Sequence, residues 1–168
     1  MPKGLKETSG VIVISADVTE SAANTFTSER VDLQLNALDQ EVFIVYAVDL
    51  DCQEPENIAA TNTSARMSLS TTSRTSVGGL ADTNVMGVAR IIIQNDGVTA
   101  VVTDYSSDTA PHSQLEYIGI IATNDFFLNI QGSNNAGTLQ GQARLWGVRA
   151  KADASIYAAL TQSELLSA

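Results

Sequence analysis

The chain has 168 residues, 44% of them hydrophobic and 17% charged, and its 19 acidic against 9 basic side chains give a formal net charge of -10. That composition fits one globular domain over residues 1–168; it is too apolar for a disordered chain, and no apolar run approaches the ~20 residues that span a bilayer. One cysteine and one histidine leave no intrachain disulfide, no thiolate zinc cluster and almost nothing from which to build a catalytic triad.

In chain order, residues 1–10 are polar, lack the apolar core of a cleaved leader and read as an N-terminal arm. Residues 11–14 (Val-Ile-Val-Ile) form a β-branched run, as do 42–46, 91–93, 98–102, 118–121 and 126–128, and such runs fit strands covered on both faces. Residues 30–36 and 66–70 alternate polar and apolar strictly, which predicts half-buried strands with one face in solvent. Residues 143–150 alternate again. Asn95-Asp96-Gly97 joins two β-branched runs and signals a hairpin, because Asp-Gly accepts the positive φ of a tight turn. Asn124-Asp125 breaks the next pair, and longer polar connections cover 51–61, 70–84, 106–113 and 132–137. The only helix-compatible stretch is 153–166, with Asp153 as N-cap and Ile156, Ala159 and Leu160 on one face.

Eight to ten short strands without central helices define an all-β, antiparallel two-sheet sandwich, with a single jelly roll as first choice and an immunoglobulin-like sandwich as runner-up. The latter lacks its Cys-Trp-Cys core here. Val31, Leu33, Leu35, Phe43, Val45, Ile92, Ile118, Ile120 and Leu128 are expected in the core. The segment 152–168 carries Ile156, Tyr157, Leu160, Leu165 and Leu166, too apolar to lie idle in solvent. It is expected to contact a neighbouring subunit; the other reading is a helix packed back on its own domain.

Individual residues add little chemistry. Asp49, Asp51, Glu54 and Glu56 are close in sequence and offer hard oxygen ligands for Ca²⁺, but the glycine-centred spacing of an EF-hand loop is missing and a solvated loop is favoured. Asp104 and Asp108 are read the same way. His112 lies in a polar loop without a sequence-local partner, and Cys52 has no basic neighbour to activate it, so both are read as inert. Trp146 is assigned to the core rather than to a sugar-stacking surface, although periodicity alone leaves its face open. Asn62-Thr63-Ser64 matches a glycosylation acceptor, a pattern frequent by chance. No catalytic, cofactor or metal residue is assigned, and an enzyme is not expected.

Three lysines (Lys3, Lys6, Lys151) and six arginines form no basic cluster in sequence, which argues against direct nucleic-acid binding. Dispersed acid with little lysine fits a surface adapted to high salt or, equally, an ordinary acidic protein.

Residues 41–49 (Glu-Val-Phe-Ile-Val-Tyr-Ala-Val-Asp), 126–132 (Phe-Phe-Leu-Asn-Ile-Gln-Gly), and 144–150 (Arg-Leu-Trp-Gly-Val-Arg-Ala) with the tail 160–165 resemble the small single jelly-roll major capsid proteins of icosahedral, internal-membrane viruses of halophilic archaea. The resemblance implies a structural assembly subunit in a virion, standing upright in a shell. It implies self-association, room for a second shell protein, proximity to a viral membrane without insertion, and no small-molecule substrate. Residues 1–10 depart from the basic arms of capsid proteins that touch the genome. The alternative from another class is a carbohydrate- or receptor-binding β-sandwich module.

Overall fold

The computed structural model describes residues 3–107 and 115–166. Among them are ten strands, β1 (Leu5–Glu7), β2 (Ile12–Thr19), β3 (Thr27–Asp32), β4 (Glu41–Cys52), β5 (Thr63–Ser70), β6 (Val85–Asn95), β7 (Ala100–Ser106), β8 (Gly119–Ile121), β9 (Asp125–Ser133) and β10 (Gln140–Ala152), followed by one α-helix, α1 (Ala154–Leu166). They form two five-stranded sheets in which every pairing is antiparallel. In sheet A, β4 and β8 follow β10, whose other edge carries β1 and β2 end to end; sheet B runs β3-β9-β5-β6-β7.

The pairings are nested. β2 meets β10, β3 meets β9, β4 meets β8 and β5 meets β6, as in one long ribbon folded at its middle, and rolling that ribbon adds the pairs β4 with β10 and β5 with β9. This eight-strand pattern is the single jelly roll. β7 is an addition to it, joined to β6 by the hairpin expected at Asn95-Asp96-Gly97. Gly97 takes φ +93°, and the Asp96 carboxylate accepts the Val98 and Thr99 amides at 2.9 and 2.7 Å.

The sandwich core gathers the inward positions of both sheets, among them Phe43, Val45, Val48, Leu50, Met67, Leu69, Phe126, Leu128, Ile130 and Leu145. β4 shows why simple alternation does not predict its faces. Opposite β10 the register shifts, Trp146 pairing Ala47 and Gly147 pairing Val45, so Tyr46 is an extra residue in β4. This bulge flips the parity: Phe43 and Val45 point inward before it, Val48, Leu50 and Cys52 after it. Of the expected core residues, Leu33, Phe43, Val45 and Leu128 are buried, and Val31, Leu35 and Ile118 pack half-buried against them. Ile92 is a correction: the odd-numbered residues of β6 face the core, so Ile93 is buried there and Ile92 lies half-buried on the outer face. Ile120 joins a different cluster, described below.

Other expectations also change. Strand β3 stops at Asp32 instead of continuing to residue 36, because the Asp32 carboxylate captures the Gln34 amide at 2.8 Å and Gln34 turns into the left-handed region at φ 52°. The run at 11–14 is covered on one face only, Val11 and Val13 being 64% and 53% exposed. In β5 two of the three polar positions of the strict alternation are buried too, Arg66 alone staying exposed. Ser68 and Ser70 are fully enclosed beneath the connection 71–84, where Gly78 N–H donates to Ser68 Oγ at 3.0 Å, Ser70 Oγ donates to the Thr72 carbonyl at 2.8 Å and Asn129 Nδ2 donates to Ser70 Oγ at 2.9 Å.

A second apolar layer lies on the outer face of sheet A. Leu5, Val42, Ile44, Ala122, Val148, Ala150 and Ala152 form it, and Ile120, Ile156, Tyr157 and Leu160 pack against them. The C-terminal segment therefore packs on its own domain through Ile156, Tyr157 and Leu160, the second of the two readings, while Leu165 and Leu166 are exposed. Asp153 precedes the helix as expected, its carbonyl accepting the Tyr157 amide at 2.8 Å. The buried stripe of α1 runs through Ile156, Tyr157, Leu160 and Glu164, while Ala159 is exposed. At the other end of the chain, residues 5–7 are strand β1 against 150–152, with Leu5 buried under the helix.

Candidate interaction surface

Sheet edges are where a β-sandwich meets other molecules, and the described edges differ in how they are protected. β8 is three residues long, and β3 carries Glu29, Arg30 and Asp32; shortness and charge both discourage pairing with another chain. β7 has neither defence. Its sequence Ala-Val-Val-Thr-Asp-Tyr-Ser has no Lys, Pro or Gly and one charged residue, and all seven positions are exposed.

Its hydrogen-bonding state follows from register. The Ser107 amide donates to the Val88 carbonyl at 3.0 Å and the Asp96 amide to the Thr99 carbonyl at 3.2 Å, and these two pairs belong to the same antiparallel ladder as Arg90 with Tyr105 and Ile92 with Thr103. Hydrogen-bonded pairs alternate with non-bonded ones, so Ala100, Val102, Asp104 and Ser106 turn their N–H and C=O groups away from β6. Among the described residues no strand takes them up. The run at 98–102 is thus not a covered strand, which corrects the sequence expectation: Val98, Val101 and Val102 are 95%, 53% and 58% exposed. Such a strand is a template for pairing.

The four carboxylates proposed from sequence do not converge. Asp49 and Asp51 stand on the outer face of sheet A, where Asp49 is the register partner of Arg144. The Glu56 carboxylate accepts the Ala136 and Gly137 amides at 2.7 and 3.2 Å and so fastens a loop, and Glu54 is exposed. No cluster of three or more His, Cys, Asp or Glu side chains suited to a metal occurs among the described residues. Asp104 lies on β7 opposite Ile91. Asp108 and His112 lie outside the described residues.

Cys52 ends β4 inside the core, and burial, with Asp51, Asp104 and Glu20 nearby, pushes its thiol up to about 12. A thiol held protonated in this way is a poor nucleophile. Trp146 is half-buried on the outer face of sheet A, outside the sandwich core, and the Arg144 guanidinium lies 5.8 Å from its ring centre. Asn62 is exposed, but its side-chain oxygen accepts the Asn95 amide at 3.2 Å.

Sequence reasoning passed over Glu20, which is 3% exposed. Its two carboxylate oxygens accept the Gly132 amide at 2.7 Å and the Leu139 amide at 2.9 Å, tying the end of β2 to the β9–β10 connection. Nothing local marked it, because both partners lie more than a hundred residues away in sequence.

No protein-family model and no curated protein matches the chain. Among solved structures, the chain is similar to one titled Desmodium yellow mottle tymovirus, at 12% identity over 88% of this chain and 93% of that one, with a TM-score of 0.25. A second is the tailspike protein gp49 of the Acinetobacter baumannii bacteriophage Fri1, a capsular polysaccharide depolymerase, at 8% identity over 71% of this chain and 19% of that one, TM-score 0.18. Likeness at this level decides nothing about function. Strand order defines the fold, a single jelly roll; β7 is an exposed margin of sheet B, and β2, which pairs only with β10 among the described residues, is the long edge of sheet A.

Proposed function

We propose that the chain is a structural subunit that associates with other copies of itself, and in its most specific form a capsid protein of an icosahedral virion. The observation that carries the proposal is β7, an exposed strand whose outer margin no described strand pairs and whose only charge is Asp104. Jelly rolls serve both capsids and lectins, so the fold by itself selects neither. The finer reading, a shell of an internal-membrane virus of halophilic archaea with room for a second shell protein, rests on the sequence resemblance. The proposal assigns no catalytic step, no small-molecule substrate and no direct nucleic-acid contact. A position beside a membrane without insertion belongs to the same reading; no helix among the described residues is long and apolar enough to cross one.

The test is light scattering on the full chain and on Val102→Lys, a substitution that places a charge on the free margin of β7. Association of the wild type that the lysine abolishes supports assembly through this edge. A wild-type monomer at every ionic strength, with a melting temperature raised by glycans, would favour the carbohydrate-binding module instead.

A further inference from the structure

In a chain with twice as many acids as bases, four of the nine cations form an ion pair among the described residues. Arg30 pairs with Asp125 at 2.8 Å, Arg74 with Asp82 at 3.0 Å and Arg149 with Glu41 at 3.1 Å, and Arg144 is the register partner of Asp49. Arg66 and Arg90 are different. They are direct register partners on β5 and β6, both exposed on the outer face of sheet B, and neither forms an ion pair with a described carboxylate. Like charges placed directly opposite on adjacent strands destabilise a sheet. A pair of this kind, without a counter-charge among the described residues, is a cost to the fold that a bound anion would remove.

Their surroundings form a receptacle. The same row across the sheet continues to Gln131 on one side and Tyr105 on the other, and the Arg90 guanidinium lies over the Tyr105 ring, 5.1 Å from its centre. Beside the row rises the segment 76–80, held by the hydrogen bond from Gly78 N–H to Ser68 Oγ. Together they enclose a cleft of about 610 Å³, within the range of small-molecule sites. Val77 and Leu80 line it, and Leu80 is 64% exposed, an apolar surface standing next to two guanidinium groups.

We propose that this cleft binds a small organic oxyanion. Arg66 and Arg90 take its carboxylate, sulfate or phosphoryl oxygens through paired N–H donors, the geometry guanidinium groups supply best. The Gln131 amide and Tyr105 hydroxyl donate to the remaining oxygens, and Val77 and Leu80 cover the body of the ligand. The site does not rest on the assembly reading, since every residue of it belongs to one copy.

Calorimetric titration tests it, with sodium sulfate, sodium phosphate and galacturonate as probes at an ionic strength matched by sodium chloride. The titrations are run on the full chain and repeated in the Val102→Lys background, which separates anion binding from association. Saturable binding of at least one probe, weakened tenfold or more in Arg66→Gln/Arg90→Gln, supports the site. Preference for galacturonate over the inorganic anions assigns it to carboxylates, and the reverse order assigns it to sulfate or phosphoryl groups. Without anion the double variant is expected to melt no lower than the wild type, because the repulsion is gone. Should it fail to fold, Arg90→Gln alone is expected to weaken binding at least threefold. Heats indistinguishable from those of chloride for all three probes, or saturable binding unchanged in the variants, would overturn the proposal.

Discussion

Glu164 is an acid placed in the apolar stripe of a helix, and its position is explained by what it caps. One carboxylate oxygen accepts the Ala122 and Thr123 amides at 2.9 and 3.0 Å, and the other accepts the Thr123 hydroxyl at 3.0 Å. Burial raises its pKa above the ordinary 4.5, and these hydrogen bonds only partly offset that. A carboxylate with a raised pKa in the folded state binds protons more tightly there than in the unfolded chain, so its stabilising contribution is present in acid and is lost as pH rises past 4.5 through the raised value. Glu164→Gln keeps one acceptor oxygen and does not ionise; its melting temperature relative to wild type is expected to rise across that window in a pH series. A constant difference would contradict the assignment. Glu20 is likewise a buried carboxylate that receives two amides. Glu20→Ala leaves both donors without a partner and is expected to cost about 2–6 kcal/mol in urea unfolding, at about 1–3 kcal/mol for each stranded group.

At the scale of elements, the inner faces were legible and the outer faces were not. Met67 and Leu69 in β5 follow period-two alternation into the core and Leu128 in β9 is buried there as expected, whereas in β10 the inward residue is Leu145 and Trp146, assigned to the core from sequence, lies on the other face. What covers the other face depends on chain far away in sequence: the connection 71–84 encloses Ser68 and Ser70, whereas nothing described encloses Val101 and Val102. Serines looked solvated and valines looked buried, and both readings failed for that reason. The bulge at Tyr46 was equally hidden, since it is decided by the partner strand β10, whereas the turn after Asp32 rests on a local bond from the Gln34 amide to the Asp32 carboxylate. Helix α1 was legible as an element, but its burial was not, because its apolar stripe is completed by Tyr157 and interrupted by Glu164. Removing it uncovers Val42, Ile44, Val148 and Ala150 on sheet A along with the loss of Ile156, Tyr157 and Leu160. Truncation after Ala152 is expected to destabilise the monomer by roughly 3–6 kcal/mol, from partial exposure of several side chains at about 1.5–3 kcal/mol for each one fully buried. Calorimetry checks this, and an unchanged melting temperature would mean that the helix is dispensable to its own domain.

For the whole molecule, the sandwich class was readable from many short strands and few helical signals, but strand order was not, because nested pairing joins β2 to β10 and β3 to β9 across most of the chain. The open margin of β7 became visible only once its neighbours were placed. Charge acts on the same scale. Copies carrying -10 each repel one another at low ionic strength, and shortening the screening length from about 10 Å at 0.1 M to about 3 Å at 1 M removes most of that repulsion. The free margin of β7 then pairs against a weaker opposing field. Particle mass by light scattering from 0.05 to about 2 M salt, for the wild type beside Val102→Lys, is the most direct test of self-association through this edge. The expected result is a wild-type mass that rises with salt and a variant that stays monomeric. Stronger association at low salt, or equal association of the two proteins, would contradict it.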